Sequence, residues 1–276
     1  MLFSINSKKS FKSQQKCCYV CYNIFCIKSI SIFSAYTVIG ADMVRRKGYI
    51  FVLSTTLILC FIVMIFTAVS QSSVMTNTTE CKKNSVIVID CGHGGEDPGA
   101  VGVNNVYESD VNLSFGLKFN DILKLNGYDT VLTRNDKNDI ADKSLDTIAK
   151  RKKSDMYKRL DIYNSSLKNV AISIHQNIFP AKSCSGTQVF YSKQNPLSKV
   201  LADNITTSVV SNLQNDNERI SKESNGIFLL DNAKVPAIIV ECGFLSNENE
   251  TYLLCDKEYQ KKFSYCLFQG LMNSNL

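Results

Sequence analysis

The sequence predicts a single α/β domain in which a twisted, mostly parallel or mixed sheet is flanked by helices, with its functional site at the strand ends. Three observations carry this. Continuous β-branched runs such as Ser85–Asp90 and Pro236–Val240 fit strands buried on both faces. Segments of helical period alternate with them, which is the pattern of an α/β sheet. Polar or glycine-rich residues follow each apolar run directly, where open α/β sheets bind ligands.

In chain order, Ser85–Asp90 is the first expected strand, and it enters the loop Gly92-His93-Gly94-Gly95. A helix is expected over 109–125, where Val111, Leu113, Phe115, Leu117, Ile122 and Leu125 mix with polar residues and Asn126-Gly127 supplies the stop. Tyr128–Thr133 is the next strand. A charged segment, read as exposed, leads into a second helix over 155–167, and Val170–Ile174 forms a third strand ending at His175. Val189–Tyr191 and Ile227–Leu230 are shorter strand candidates, separated by a helix over 197–213. Pro236–Val240 leads into Glu241, and apolar residues at helical spacing from Glu258 to Met272 close the domain with a helix on the sheet.

The chain has 276 residues and a formal charge of +6. Residues 1 to 47 hold 8 Lys/Arg and one acid, which leaves 23 basic against 24 acidic residues for the rest. The basic face needed for nucleic-acid binding is therefore missing from the expected domain, and no nucleic-acid partner is expected. Arg45-Arg46-Lys47 precedes an uncharged run from Tyr49 to Val69, which as a helix would span roughly 31 Å. It reads as a signal or anchor over 43–71, with everything beyond about Ser70 exported. Residues 1–42 form an N-terminal extension without clear period, and Met43 opens a leader of ordinary design. Cys18 and Cys21 in that extension lack the partner pair that a zinc ribbon requires. Residues 72–84 read as a polar linker and 85–276 as the catalytic domain. Of the six cysteines beyond the apolar run, most are expected to be free, buried thiols.

The sequence contains two histidines, His93 and His175, each just past an apolar strand. Two strand-end histidines can converge in one crevice although they are far apart in sequence. A hydrolytic zinc site needs three protein ligands and an open position. Glu108, at the start of the helix after the His93 loop, is the candidate third donor; an acid there also complements the helix dipole. Glu241 ends the last strand, where a carboxylate after so apolar a run needs a partner, and it is placed to move a proton. Arg134 and Asn177 are candidate substrate contacts, since a fork of donors suits carbonyl or carboxylate groups; structural ion pairing is the alternative for them.

Together these segments resemble the catalytic domain of the zinc-dependent N-acetylmuramoyl-L-alanine amidases. Gly-His-Gly-Gly at 92–95, Asp-Pro-Gly-Ala at 97–100, Ser-Ile-His-Gln-Asn at 173–177 and Glu-Cys-Gly-Phe-Leu-Ser-Asn at 241–247 carry the resemblance. It implies Zn²⁺ held by His93, Glu108 and His175, with Glu241 as acid/base. It also implies a peptidoglycan substrate, cut between the lactyl group of muramic acid and L-alanine. Cys91 stands where most members have proline, and Cys242 follows the glutamate; both are expected to pack rather than ligate. Arg151–Met156 with Arg159-Leu160 looks most like the germination-specific branch, which acts on spore cortex. Anchoring by residues 49–69 suits that branch; whether an activating protein partner is needed is left open by the sequence. A zinc peptidase cutting within the stem peptide and a wall-binding regulator without turnover are the competing readings.

Overall fold

A computed structural model describes residues 54–64 and 85–276. The chain divides into two units, Met1–Thr79 and Glu80–Leu276. In the first, residues 54–64 are helical with exposed side chains. No helix among the described residues is long and apolar enough to cross a membrane. The expected span over 49–69 extends past the described stretch at both ends, and the 1–42 extension and 72–84 linker lie outside the described residues.

The second unit runs β1 (Val86–Cys91), a 3-10 turn (Val103–Asn105), α1 (Glu108–Leu125), β2 (Asp129–Leu132), α2 (Ile148–Asn164), β3 (Asn169–Asn177) and β4 (Gln188–Tyr191). It continues with α3 (Leu197–Leu213), β5 (Lys222–Glu223), α4 (Phe228–Asn232), β6 (Ala237–Phe244), α5 (Glu248–Cys255) and α6 (Lys257–Asn273). The six strands lie in the order β2-β1-β3-β6-β4-β5. β2, β1, β3 and β6 are parallel, β4 runs antiparallel to β6, and β5 is parallel to β4. The sheet is thus mixed, with a parallel centre.

Alternation along the strands builds two apolar layers. Ile87, Ile89 and Cys91 join Ile172 and Ile174 against Phe115, Phe119, Leu201, Ile205, Phe263 and Leu267 of α1, α3 and α6. On the other face Val88, Ala171, Ala237 and Ile239 pack with Tyr163 of α2 and with Leu229 and Leu230 of α4. Asp90, Ser173, His175 and Glu241 continue this second face towards the strand ends, because Asp90 is level with Ser173 and His175 with Glu241. An acid on β1 and an acid on β6 are therefore delivered to the layer that α2 covers.

Two expectations are corrected. Ile227–Leu230 is not a strand: Phe228–Asn232 is a short helix, α4. Gly226, at φ +84°, turns the chain there, and the Asp231 carboxylate accepts from the Gly226 amide and the Ser224 hydroxyl. A four-residue apolar run does not distinguish the two periods. The second helix, expected over 155–167, spans Ile148–Asn164 instead, so the charged segment before residue 155 is exposed as expected but helical. Thr147 accepts a hydrogen bond from the Lys150 amide, and α2 starts at Ile148, seven residues early.

Candidate metal and active site

The loop after β1 is shaped by what its glycines leave out. A side chain at Gly92 would place its Cβ 2.3 Å from the His175 ring, so the residue between β1 and His93 has to be bare. His93 itself adopts φ +62°, a left-handed conformation uncommon outside glycine and asparagine. Gly99 has φ +69°, and a Cβ there would meet Glu108 Oε2 at 2.5 Å. The loop then joins α1: the Glu108 amide donates to Ala100 O, and the Ala100 amide donates to Glu108 Oε2 at 2.8 Å.

The three expected ligands meet. His93 Nε2 lies 3.2 Å from Glu108 Oε2, and His175 Nδ1 lies 2.9 Å from Glu108 Oε1. The imidazoles stand edge to face, 5.0 Å between centroids. One donor atom from each residue lies within 4.8 Å of the others, a group that can hold a metal ion. His93 turns Nε2 inward because its Nδ1 faces Asp97 Oδ2 at 2.8 Å, and Lys152 holds the other oxygen of Asp97 at 2.8 Å. A carboxylate behind a ligating imidazole is the usual way of fixing its orientation. Glu108 also accepts from the Gln176 amide at 3.1 Å and from Asn112 Nδ2 at 3.3 Å.

Electrostatics agree with a cation site. Burial alone would lower the His93 pKa, but hydrogen bonds and negative charge from Asp97 and Glu108 outweigh it and raise the pKa to about 9. Burial would likewise raise Glu108, yet His175 and His93 hold it far below the usual carboxylate range. Two imidazoles and a buried carboxylate thus attract positive charge into one spot, a donor set that fits a zinc ion.

Glu241 sits beside His175 on the adjacent strand. Its Oε2 is buried and has no hydrogen-bond partner among the described residues. Burial raises its pKa to about 7, with Glu108 adding to the effect and the two histidines opposing it. A cavity of about 270 Å³ opens next to the cluster, lined by His93, Asp97, Lys152, Met156, His175 and Ile239 among others.

The two candidate substrate contacts part ways. Asn177 ends β3 at the rim, and its side chain makes no hydrogen bond among the described residues. Arg134 is buried, and its fork is turned inward: it donates to the carbonyls of Cys91, Gly92, Ser109 and Asp136. The donors expected to meet substrate are spent on backbone. Cys91 and Cys242 lie in the apolar layer against α1 and α6, and burial pushes the Cys91 thiol up to about 12. Neither cysteine belongs to the group of donor atoms that converge at Glu108, so both pack.

A network beneath the loop escaped the sequence reading. Asp90, fully buried, accepts from Arg159 Nη1 at 2.5 Å, Thr133 Oγ1 at 2.8 Å, Tyr163 OH at 2.8 Å and Ser173 Oγ at 2.6 Å. Arg159 also pairs with Asp155 at 2.6 Å and donates to His93 O at 2.8 Å. The sequence signal was a charge inside a buried strand at Asp90, and Asp155-x-x-x-Arg159 spaced one turn apart on a helix.

The second unit is thus a six-stranded α/β domain with two histidines and two glutamates gathered in one candidate metal centre at one end of its central strands. Residues 87–273 match the family described as N-acetylmuramoyl-L-alanine amidase, and the chain belongs to that family. It is 34% identical over 187 residues to the germination-specific N-acetylmuramoyl-L-alanine amidase of Bacillus subtilis, covering 68% of this chain and 78% of that protein. Among solved structures it is similar to the CwlD amidase of Clostridioides difficile in complex with the GerS lipoprotein. There the TM-score is 0.67 at 33% identity, covering 69% of this chain and 98% of that one. An N-acetylmuramoyl-L-alanine amidase from Clostridium difficile 630 aligns with TM-score 0.60 and 26% identity, covering 69% and 96%. The chain is accordingly an amidase acting on peptidoglycan, hydrolysing the bond between the lactyl group of muramic acid and L-alanine.

Proposed function

We propose that this amidase depends on Zn²⁺ held by His93, Glu108 and His175, and that Glu241 is its acid/base. The convergence of two imidazoles on Glu108, with Glu241 level with His175 on the next strand, carries the reading. Zn²⁺ bound there supplies Lewis acidity, polarising a carbonyl and acidifying water. Asp97 keeps His93 Nε2 turned to the site, and Gln176 and Asn112 keep Glu108 in place. Glu241 takes the proton of the attacking water and returns it to the departing L-alanine amine. Its Oε2 has no hydrogen-bond partner among the described residues and is free for that task. Asn177 at the rim is assigned to the substrate.

The substrate setting follows from the relatives. The Bacillus subtilis relative is named as germination-specific, and we extend spore-cortex peptidoglycan to this chain. The C. difficile relative is in complex with a lipoprotein, so a protein partner outside the cytoplasm is assigned here as well. Such a substrate requires export, and Tyr49–Val69 supplies the signal or anchor. The test is digestion of purified cortex and vegetative peptidoglycan with Zn²⁺, with products identified by mass spectrometry. Release of stem peptides from cortex that is lost on chelation, restored by Zn²⁺ and absent in Glu241→Ala supports the reading, whereas full activity after chelation or in Glu241→Ala overturns it.

A further inference from the structure

Two buried guanidiniums have no place in the hydrolysis itself. Arg134 follows β2 and Arg159 lies on α2; they are 5% and 1% exposed. Arg134 Nε donates to Cys91 O at 2.8 Å, and its Nη2 donates to Gly92 O at 3.0 Å and Ser109 O at 2.8 Å. Arg159 Nη1 donates to Cys91 O at 2.8 Å and Nη2 to His93 O at 2.8 Å. The carbonyls of three consecutive residues, ending with His93, therefore all terminate on arginine donors. Ser109, which Arg134 ties to the same loop, directly follows Glu108.

Charge makes this arrangement informative. Arg159 is neutralised by Asp90 and Asp155. Arg134 has no carboxylate among its hydrogen-bond partners, Asp90 and Asp155 acting on it only through space, and a positive charge beside a cation site works against the cation. What Arg134 offers in return is geometry: a rigid planar fork that spans loop and helix, which an ammonium does not reproduce.

We propose that Arg134 and Arg159 are positioning residues that set metal affinity, holding the left-handed His93 backbone in register with the first turn of α1 so that His93 and Glu108 present their donors together. The inference rests on the metal reading above. It is tested on the full chain by chelator competition for Zn²⁺ and by the visible spectrum of the Co²⁺-loaded protein, with folding checked by circular dichroism. Arg134→Lys keeps the charge and loses the fork, while Arg134→Met loses both; neither leaves a carboxylate unpaired, which Arg159→Lys does. Both Arg134 variants are expected to bind Zn²⁺ roughly 10- to 100-fold more weakly, the size of effect seen for residues behind metal ligands, with an altered Co²⁺ spectrum. Tighter binding in Arg134→Met would show the residue acting through its charge and overturn the proposal. Unchanged Zn²⁺ affinity with a raised KM would return Arg134 to substrate binding, and loss of fold in both variants would make it a folding residue; either outcome overturns it. Failure of the wild-type chain itself to bind Zn²⁺ would remove the metal reading and this inference with it.

Discussion

Glu241 stands between two requirements, burial against the sheet and a proton to exchange. Glu241→Gln keeps its volume and removes the titration, so kcat/KM should fall about 10²- to 10⁴-fold while Zn²⁺ affinity changes little; parallel turnover and chelator titrations check both. The pH behaviour of the metal-free chain gives an independent measurement. The folded pKa of Glu241, about 7, lies above the ordinary carboxylate value of 4.5. Its contribution to stability is then fully present below about pH 4.5 and is lost as pH rises through about 7. Melting curves of wild type should show that loss, and Glu241→Gln should lack it. Asp97 acts one shell out. Asp97→Asn frees the His93 ring to turn, so Zn²⁺ binding should weaken roughly 10- to 100-fold, measured by the same titration.

Among the elements, α2 and the loop after β1 behave as one piece. Asp90 joins them, and Asp90→Ala leaves the Arg159 guanidinium buried without its strand partner. The expected cost is about 3–5 kcal/mol, read from urea unfolding. Arg159→Lys with Asp90 intact should cost less, because an ammonium still pairs with one of the two carboxylates, Asp90 and Asp155, and leaves only the other without its partner. This assembly also marks where the sequence stopped being legible. The convergence of His93, Glu108, His175 and Glu241 was readable because each stands at the end of an apolar run or at a helix start, even though β3 and β6 run on past His175 and Glu241. Arg134 and Arg159 were visible as residues but not as braces, since spacing says nothing about which carbonyl a long side chain reaches. The first two turns of α2 were hidden for a related reason. Their residues are charged, and their helical state depends on Thr147 as a cap and on Arg151 and Lys152 meeting Glu96 and Asp97 across the cavity. α4 was misread because Leu229 and Leu230 are buried whichever backbone carries them.

At the scale of the whole domain, the parallel centre was legible from its β-branched runs, whereas the antiparallel return of β4 was not. That return places the chain in an unusual position. β6 lies between β3 and β4, so residues 178–187 must arch over the end of β6, beside the site, without a helix between. The arch is pinned at its two feet. The Phe179 amide donates to Ser246 Oγ at 3.1 Å, Asn247 Nδ2 donates to Cys184 O at 3.2 Å, and the Gly186 amide donates to Glu250 at 2.9 Å. Its middle is exposed. Three glycines and serines added after Pro180 should therefore cost only about 0.6 kcal/mol or less, and Zn²⁺ affinity should be unchanged, with only the preference among stem peptides moving. A lineage carrying this fold can thus retune what it eats without relearning how to cut, because the span over β6 varies separately from the residues beneath it.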